Sequence, residues 1–204
     1  MSRRLQPALG ALLCLVLLWP GVRHAMEASM WRHMLLQFPL WMLAGGLLAA
    51  RVPAGAGRWN AHGISGLIGV AALMAVLMVP RLLDMALQRP MVEAAKLAAL
   101  LLGGAALRLS WRPAGLVLQF FFLGNVLPMM AVAGQLYADS PLRLCNAYLQ
   151  DDQIRLGQWL TALAALLALA WLAGAARQLM RRDAQADGLT GSPARAAARS
   201  TARE

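Results

Sequence analysis

The sequence predicts an all-α fold, a polytopic membrane bundle of about six spanning helices with both termini on the cytoplasmic side. Three observations carry this expectation. Of the 204 residues 60% are hydrophobic, only 14% are charged, and mean hydropathy is +0.56. A soluble domain carries about 25% charged and 45–50% apolar residues, so one water-soluble core cannot hide this much apolar surface. The apolar residues also arrive in blocks of about 20, the length a helix needs to cross roughly 30 Å of hydrocarbon. Finally, the blocks are rich in Leu and Ala and do not alternate with polar residues. That argues against the strand pattern of a membrane barrel and for helices, which satisfy their own backbone in lipid.

In chain order the expected spans are 6–22, 30–50, 61–80, 91–110, 113–136 and 156–176. The first follows Arg3 and Arg4 and has the look of a secretory leader, but Arg23 spoils the only small-residue cleavage site, at Ala25, so it reads as a retained helix. The second contains Pro39 and the pair Gly45-Gly46. Proline is tolerated in a spanning helix, and paired glycines let a neighbour approach closely. The third follows a loop with Pro53, Gly55 and Gly57 and stops at Pro80. Residues 81–90 form a short amphipathic helix at the membrane surface. Arg112-Pro113 is read as a tight turn between spans four and five, and Asn125 with Pro128 as a kink in span five. The longest loop runs from Asp139 to Arg155 and is expected to be solvated. The tail, 177–204, is expected to be cytoplasmic, basic and disordered.

Orientation follows from arginines in short loops. One side carries Arg3, Arg4, Arg51, Arg58, Arg108, Arg112, Arg177, Arg181 and Arg182; the other carries Arg23, Arg32, Arg81, Arg89, Arg143 and Arg155. The richer side belongs inside, which places the protein in a bacterial inner membrane. The net charge of +10 does not imply nucleic acid, because the basic residues flank apolar blocks or lie in the tail. The two cysteines, Cys14 in the first block and Cys145 in a loop, sit at different depths and are not expected to pair.

Nine of the twelve methionines fall on the outer side of this topology: Met26, Met30, Met34, Met74, Met78, Met85, Met91, Met129 and Met130. Met26, Met30 and Met34 share one helix face, with His33 beside them and His24 nearby. Soft thioethers favour Cu(I), and imidazole accepts it as well. The competing reading is packing, since methionine fills irregular cores. His33 and Gln37 share a face. Glu93 and Lys96, three apart, are placed to pair, although Lys96 is expected to snorkel to the interface. Asn125 is expected to bond another helix or the carbonyl freed by Pro128. No nucleotide loop, zinc-hydrolase box or nucleophile elbow occurs, so an enzyme is the least supported class.

Two stretches carry a resemblance. WRHMLLQFPLWMLAGGLLA, from Trp31, and PRLLDMALQRPMVEAAKLAALLLGGAALRLSW, from Pro80, resemble CtaG-type cytochrome c oxidase assembly factors over residues 30–112. That family's second helix carries paired histidines, and more histidines open a later helix. Here His33 stands with Gln37 in the first place, and Arg89, Glu93 and Lys96 stand in the second. The resemblance implies a relative linked to copper delivery whose metal site is reduced, replaced by methionines, or gone. The resulting expectation is a non-catalytic assembly or copper-handling factor. Its metal candidates are His33, Met30, Met34, Met26, Met78 and Met130, and its partners are the lipid bilayer and a respiratory oxidase subunit or copper chaperone. Gln37, Glu93, Lys96 and Asn125 are the intramembrane polar residues. The alternatives are a small transporter, or a membrane scaffold subunit without metal.

Overall fold

The computed structural model describes the backbone of residues 5–54 and 58–200, and their side chains except at 59 and 186–200. Arg3, Arg4, Gly55, Gly57 and residues 201–204, named above, lie outside the described residues. Among the described residues the chain is entirely helical, without strands. The helices are α1 Gln6–Leu18, α2 Pro20–Glu27, α3 Met30–Arg51, α4 Ile64–Leu77, α5 Pro80–Gln88, α6 Pro90–Asp139 and α7 Gln150–Ser200. Three stretches, α3, α6 and Gln150–Gln185 of α7, are long and apolar enough to cross a membrane; the count reaches 5 if each bent pair, α1 with α2 and α4 with α5, forms one span.

Proline sets the breaks. The first block does not run straight to 22: α1 ends at Leu18, and α2 leaves at 72°. Trp19 precedes Pro20 and takes ψ 126, because the proline ring crowds the helical conformation of the residue before it. Val79 before Pro80 is extended for the same reason, and α5 turns 77° from α4. Its inward face carries Leu83, Asp84 and Ala86. Inside α3, His33–Gln37 form a π turn just ahead of Pro39. The wider turn accommodates the carbonyls that a mid-helix proline leaves without a donor.

Residues Pro90–Asp139, α6, are two helical legs joined at Gly115, whose backbone is not helical (φ 62, ψ −177). The reversal therefore falls at Gly115 and not at Arg112-Pro113. Proline's fixed φ is compatible with helix, whereas a φ of +62 needs glycine. The contacts prove the reversal. Ser110 hydrogen-bonds Asn60, just before α4, and the Tyr137 hydroxyl donates to the Met78 carbonyl just past the other end of α4. A straight helix would carry Tyr137 about 40 Å beyond Ser110 at 1.5 Å per residue. Instead the two residues bracket a helix of 14 residues.

Glycine permits the tightest crossings. A Cβ on Gly45 would collide with the Leu101 carbonyl, and one on Gly104 with the Met42 carbonyl. These two positions let α3 and the first leg of α6 touch backbone to backbone. The core holds Met30, Met34, Phe38, Trp41, Leu77, Leu100, Tyr137 and Leu156.

The chain forms two compact units, Met1–Ala165 and Leu166–Glu204. The second is helical to Ser200, and its described side chains from 176 to 185 are exposed. Composition predicts disorder from 177 onward, and the backbone is helical there instead. The Ala, Arg, Gln and Leu of this stretch are strong helix formers that need no core to adopt the conformation.

Candidate functional site

His33 enters the π turn of α3 with none of its surface exposed. Both ring nitrogens are engaged. Nδ1 lies 2.8 Å from the Tyr148 hydroxyl, and Nε2 lies 2.7 Å from Lys96 Nζ. The Tyr148 hydroxyl donates to the Glu27 carbonyl at 3.0 Å, so its oxygen must accept from His33 Nδ1–H. That fixes the neutral tautomer and leaves Nε2 as the acceptor for the Lys96 ammonium. Lys96 also pairs with Glu93 Oε2 at 2.7 Å and sits 5.5 Å from the centre of the Phe38 ring. The result is a directed chain, Glu93 to Lys96 to His33 to Tyr148 to the Glu27 backbone. It joins α6, α3, the 140–149 loop and α2.

All four side chains are sealed, with Glu93 3%, Lys96 4% and Tyr148 6% exposed. A charge buried this deeply must be paired to persist, and the carboxylate and ammonium cancel each other. A second pair, Arg23 with Glu27 at 2.8 Å, lies toward solvent. Glu93 Oε1 has no hydrogen-bond partner, nor have Gln37 Oε1 and Trp41 Nε1 one turn apart on α3. The spacing of Glu93 and Lys96 correctly suggests their contact, but Lys96 does not snorkel. His33 and Glu93 offer it a better neutral environment than the long reach to water.

The 140–149 loop is exposed at Pro141, Leu142, Arg143, Asn146, Ala147 and Leu149, as expected of a solvated loop, but is pinned to the bundle at the buried Cys145 and Tyr148. Asp84, on the inward face of α5, accepts hydrogen bonds from the backbone amides of Asn146 and Ala147 at 2.9 and 3.1 Å and from the Cys145 thiol at 2.8 Å. Gln153 donates to the Tyr137 and Leu142 carbonyls and accepts from the Leu144 amide at 2.8 Å. Burial first, and then the Asp84 carboxylate, push the Cys145 thiol up to about 12. Burial also raises Tyr148 above the usual phenol value, so the hydroxyl stays a donor at physiological pH. Cys14 and Cys145 are both free.

The metal candidates are placed as follows. Met30 and Met34 are buried in the core beside Phe38, Trp41 and Leu100, while Met74, Met78 and Met130 pack against the same cluster. Met26 is half-buried. The thioethers thus face protein rather than lipid, among apolar neighbours. His33 has no free nitrogen, and a cation already stands at Nε2. No group of three or more His, Cys, Asp or Glu able to hold a metal occurs among the described residues. Asn125 is exposed and donates to the Phe121 carbonyl of its own helix at 2.7 Å, so it lines no interior path and does not reach the Pro128 carbonyl gap.

Sequence reading missed Asp84, Gln153 and the role of Tyr148. A lone aspartate in a short amphipathic segment and a tyrosine in a polar loop give no local signal of their partners, which lie 61 to 115 residues away. Comparison with protein-family models, with curated proteins and with solved structures returns no match for this chain.

Proposed function

We propose that this chain is a six-span, N-in and C-in protein of a bacterial inner membrane that serves, without catalysis, as an assembly factor for a respiratory oxidase of the cytochrome c type. The observation that carries the reading is the meeting of the two stretches that resemble CtaG-type factors. The histidine of the first and the lysine of the second lie 2.7 Å apart, at the positions where that family's pattern has histidines. The span count treats α1 with α2 and α4 with α5 as single bent spans and the two legs of α6 as separate spans; α3 and α7 complete the six. The quartet acts as a clamp. It holds the 140–149 loop and α2 on the spans, so that one end of the bundle presents a fixed surface to a client subunit.

Copper handling belongs to this reading only through the thioethers. Cu(I) at His33 would have to displace the Lys96 ammonium, whereas Met30, Met34, Met78 and Met130 share a soft, apolar cluster suited to the reduced ion. A transporter is less well supported, because Asn125, its mid-span candidate, is exposed.

Isolation of the tagged protein from its native membranes tests the assembly role. An oxidase subunit should co-purify, and a strain lacking the protein should accumulate less assembled oxidase. Unchanged oxidase content together with no co-purified subunit rejects the proposal. Titration of the purified protein with Cu(I) against a chelator tests the copper part. Less than one equivalent bound, with no change in Met34→Leu, removes it.

A further inference from the structure

Within the unit Met1–Ala165, the end opposite His33 carries arginines and, among the described residues, no acid. Four contacts define it. Arg108 Nη2 donates to Gln6 Oε1 at the start of α1 at 2.6 Å. The Arg108 stem passes over Gly46. Asn60 Nδ2 donates to Ser110 Oγ at 3.0 Å, and Gly63 packs on the Ser110 carbonyl. Arg51 closes α3, Arg58 opens the turn Arg58–Asn60, and Arg112 stands two residues beyond Ser110. All four arginines are exposed, and none forms an ion pair among the described residues. Within Met1–Ala165 the acids, Glu27, Asp84, Glu93, Asp139, Asp151 and Asp152, all stand toward the His33 end.

We propose that Arg51, Arg58, Arg108 and Arg112 form a binding surface for the phosphates of anionic phospholipid headgroups. The proposal rests on the membrane reading above and adds the chemistry of one rim. Arg51 and Arg112 stand where two apolar helices end, which is the depth at which lipid phosphates lie. Guanidinium matches phosphate oxygens in a two-point fork, and these four are in no ion pair among the described residues. Arg108 is pre-aimed, because Gln6 holds one of its nitrogens, and its other donors have no hydrogen-bond partner among the described residues. The opposite rim carries six arginines, Arg23, Arg32, Arg81, Arg89, Arg143 and Arg155, but six acids stand among them, which lowers its attraction for an anion.

The test uses the full-length chain in phosphatidylcholine vesicles containing brominated phosphatidylglycerol or brominated phosphatidylcholine. Quenching of tryptophan fluorescence reads relative lipid affinity, and Trp111 lies next to Arg112. The wild type should prefer phosphatidylglycerol. Arg108→Gln with Arg112→Gln should lower that preference by about fivefold per arginine, the equivalent of about 1 kcal/mol for each basic residue near an anionic surface. The corresponding double lysine variant, Arg108→Lys with Arg112→Lys, should keep part of it. Arg89→Gln, at the other rim, should leave it unchanged. An unchanged preference in the double Gln variant overturns the proposal, and so does an equal loss in Arg89→Gln. Displacement of the lipid by millimolar inorganic phosphate would identify a free-anion site instead and overturn the lipid assignment. Failure of the membrane reading looks different: the protein would then insert into neither vesicle.

Discussion

The two ends of the bundle use opposite electrostatic strategies with the same residue types. At the His33 end, acids and bases are drawn inward and consumed by one another: Glu93 on Lys96, Lys96 on His33, Asp84 on the 145–147 segment. At the Arg108 end, the bases stay on the surface and form no ion pair among the described residues. A buried charge in low dielectric is stable only with its partner in place, so the first end is stiff and intolerant of substitution. A surface charge in water is screened, so the second end has little structural cost and stays available to an external anion. Stability is concentrated at one end of this protein and capacity for recognition at the other.

Lys96 is where this contrast is most vulnerable. Lys96→Met should destabilise the protein by about 3–5 kcal/mol, because it leaves the Glu93 carboxylate buried without a counter-charge. Denaturation in detergent measures this. The double variant Glu93→Gln with Lys96→Met should recover most of the loss, and a double variant as unstable as the single one would mean that the pair is not an energetic unit. Next in size is Tyr148→Phe, which strips the His33 Nδ1 donor and the Glu27 carbonyl of their shared partner. A cost of about 1–3 kcal/mol is expected, with faster proteolysis of the 140–149 loop as a local readout.

Cys145 probes the same end through pH. Its folded value is raised from 9.0 to about 12. The neutral thiol is therefore favoured in the fold, and its contribution is complete below pH 9. It is lost as pH rises from 9 toward 12, where the unfolded chain ionises first. Alkylation of Cys145 at pH 9 should be at least about tenfold slower in the native protein than in the unfolded chain, and equal rates would show that the Asp84 contact is not maintained. The smallest effect belongs to the other end. Arg51→Gln in neutral detergent should change stability by less than about 0.5 kcal/mol, as for a surface substitution without buried contacts. A large loss there would erase the distinction between the two ends.

Much of the fold is legible one segment at a time. The apolar block predicts a helix over 30–50, and α3 runs Met30–Arg51, because such a block bounded by arginines has one comfortable length in hydrocarbon. Pro80 does stop α4 and start α5. The reversal in α6 comes two to three residues later than Arg112-Pro113 suggests, because proline is the louder punctuation mark, yet only Gly115 could take the left-handed conformation. The site is half legible. The three-residue spacing of Glu93 and Lys96 points to a pair, and His33 stands out as an intramembrane imidazole. Nothing near Tyr148 or Asp84 indicates that the loop folds back, since their partners are distant in sequence.

What the amino-acid order determines unaided is local: helices long and apolar enough to cross a membrane, and their proline and glycine breaks. These are properties of short stretches interacting with their surroundings, so no knowledge of neighbours is needed to read them. It takes the packed helices to make His33 a locked hydrogen-bond relay with an ammonium at its second nitrogen, and to place the methionines inside. Those outcomes depend on which side chain arrives within 3 Å of which other, and that distance is set by backbone crossings such as Gly45 on Leu101 and Gly104 on Met42.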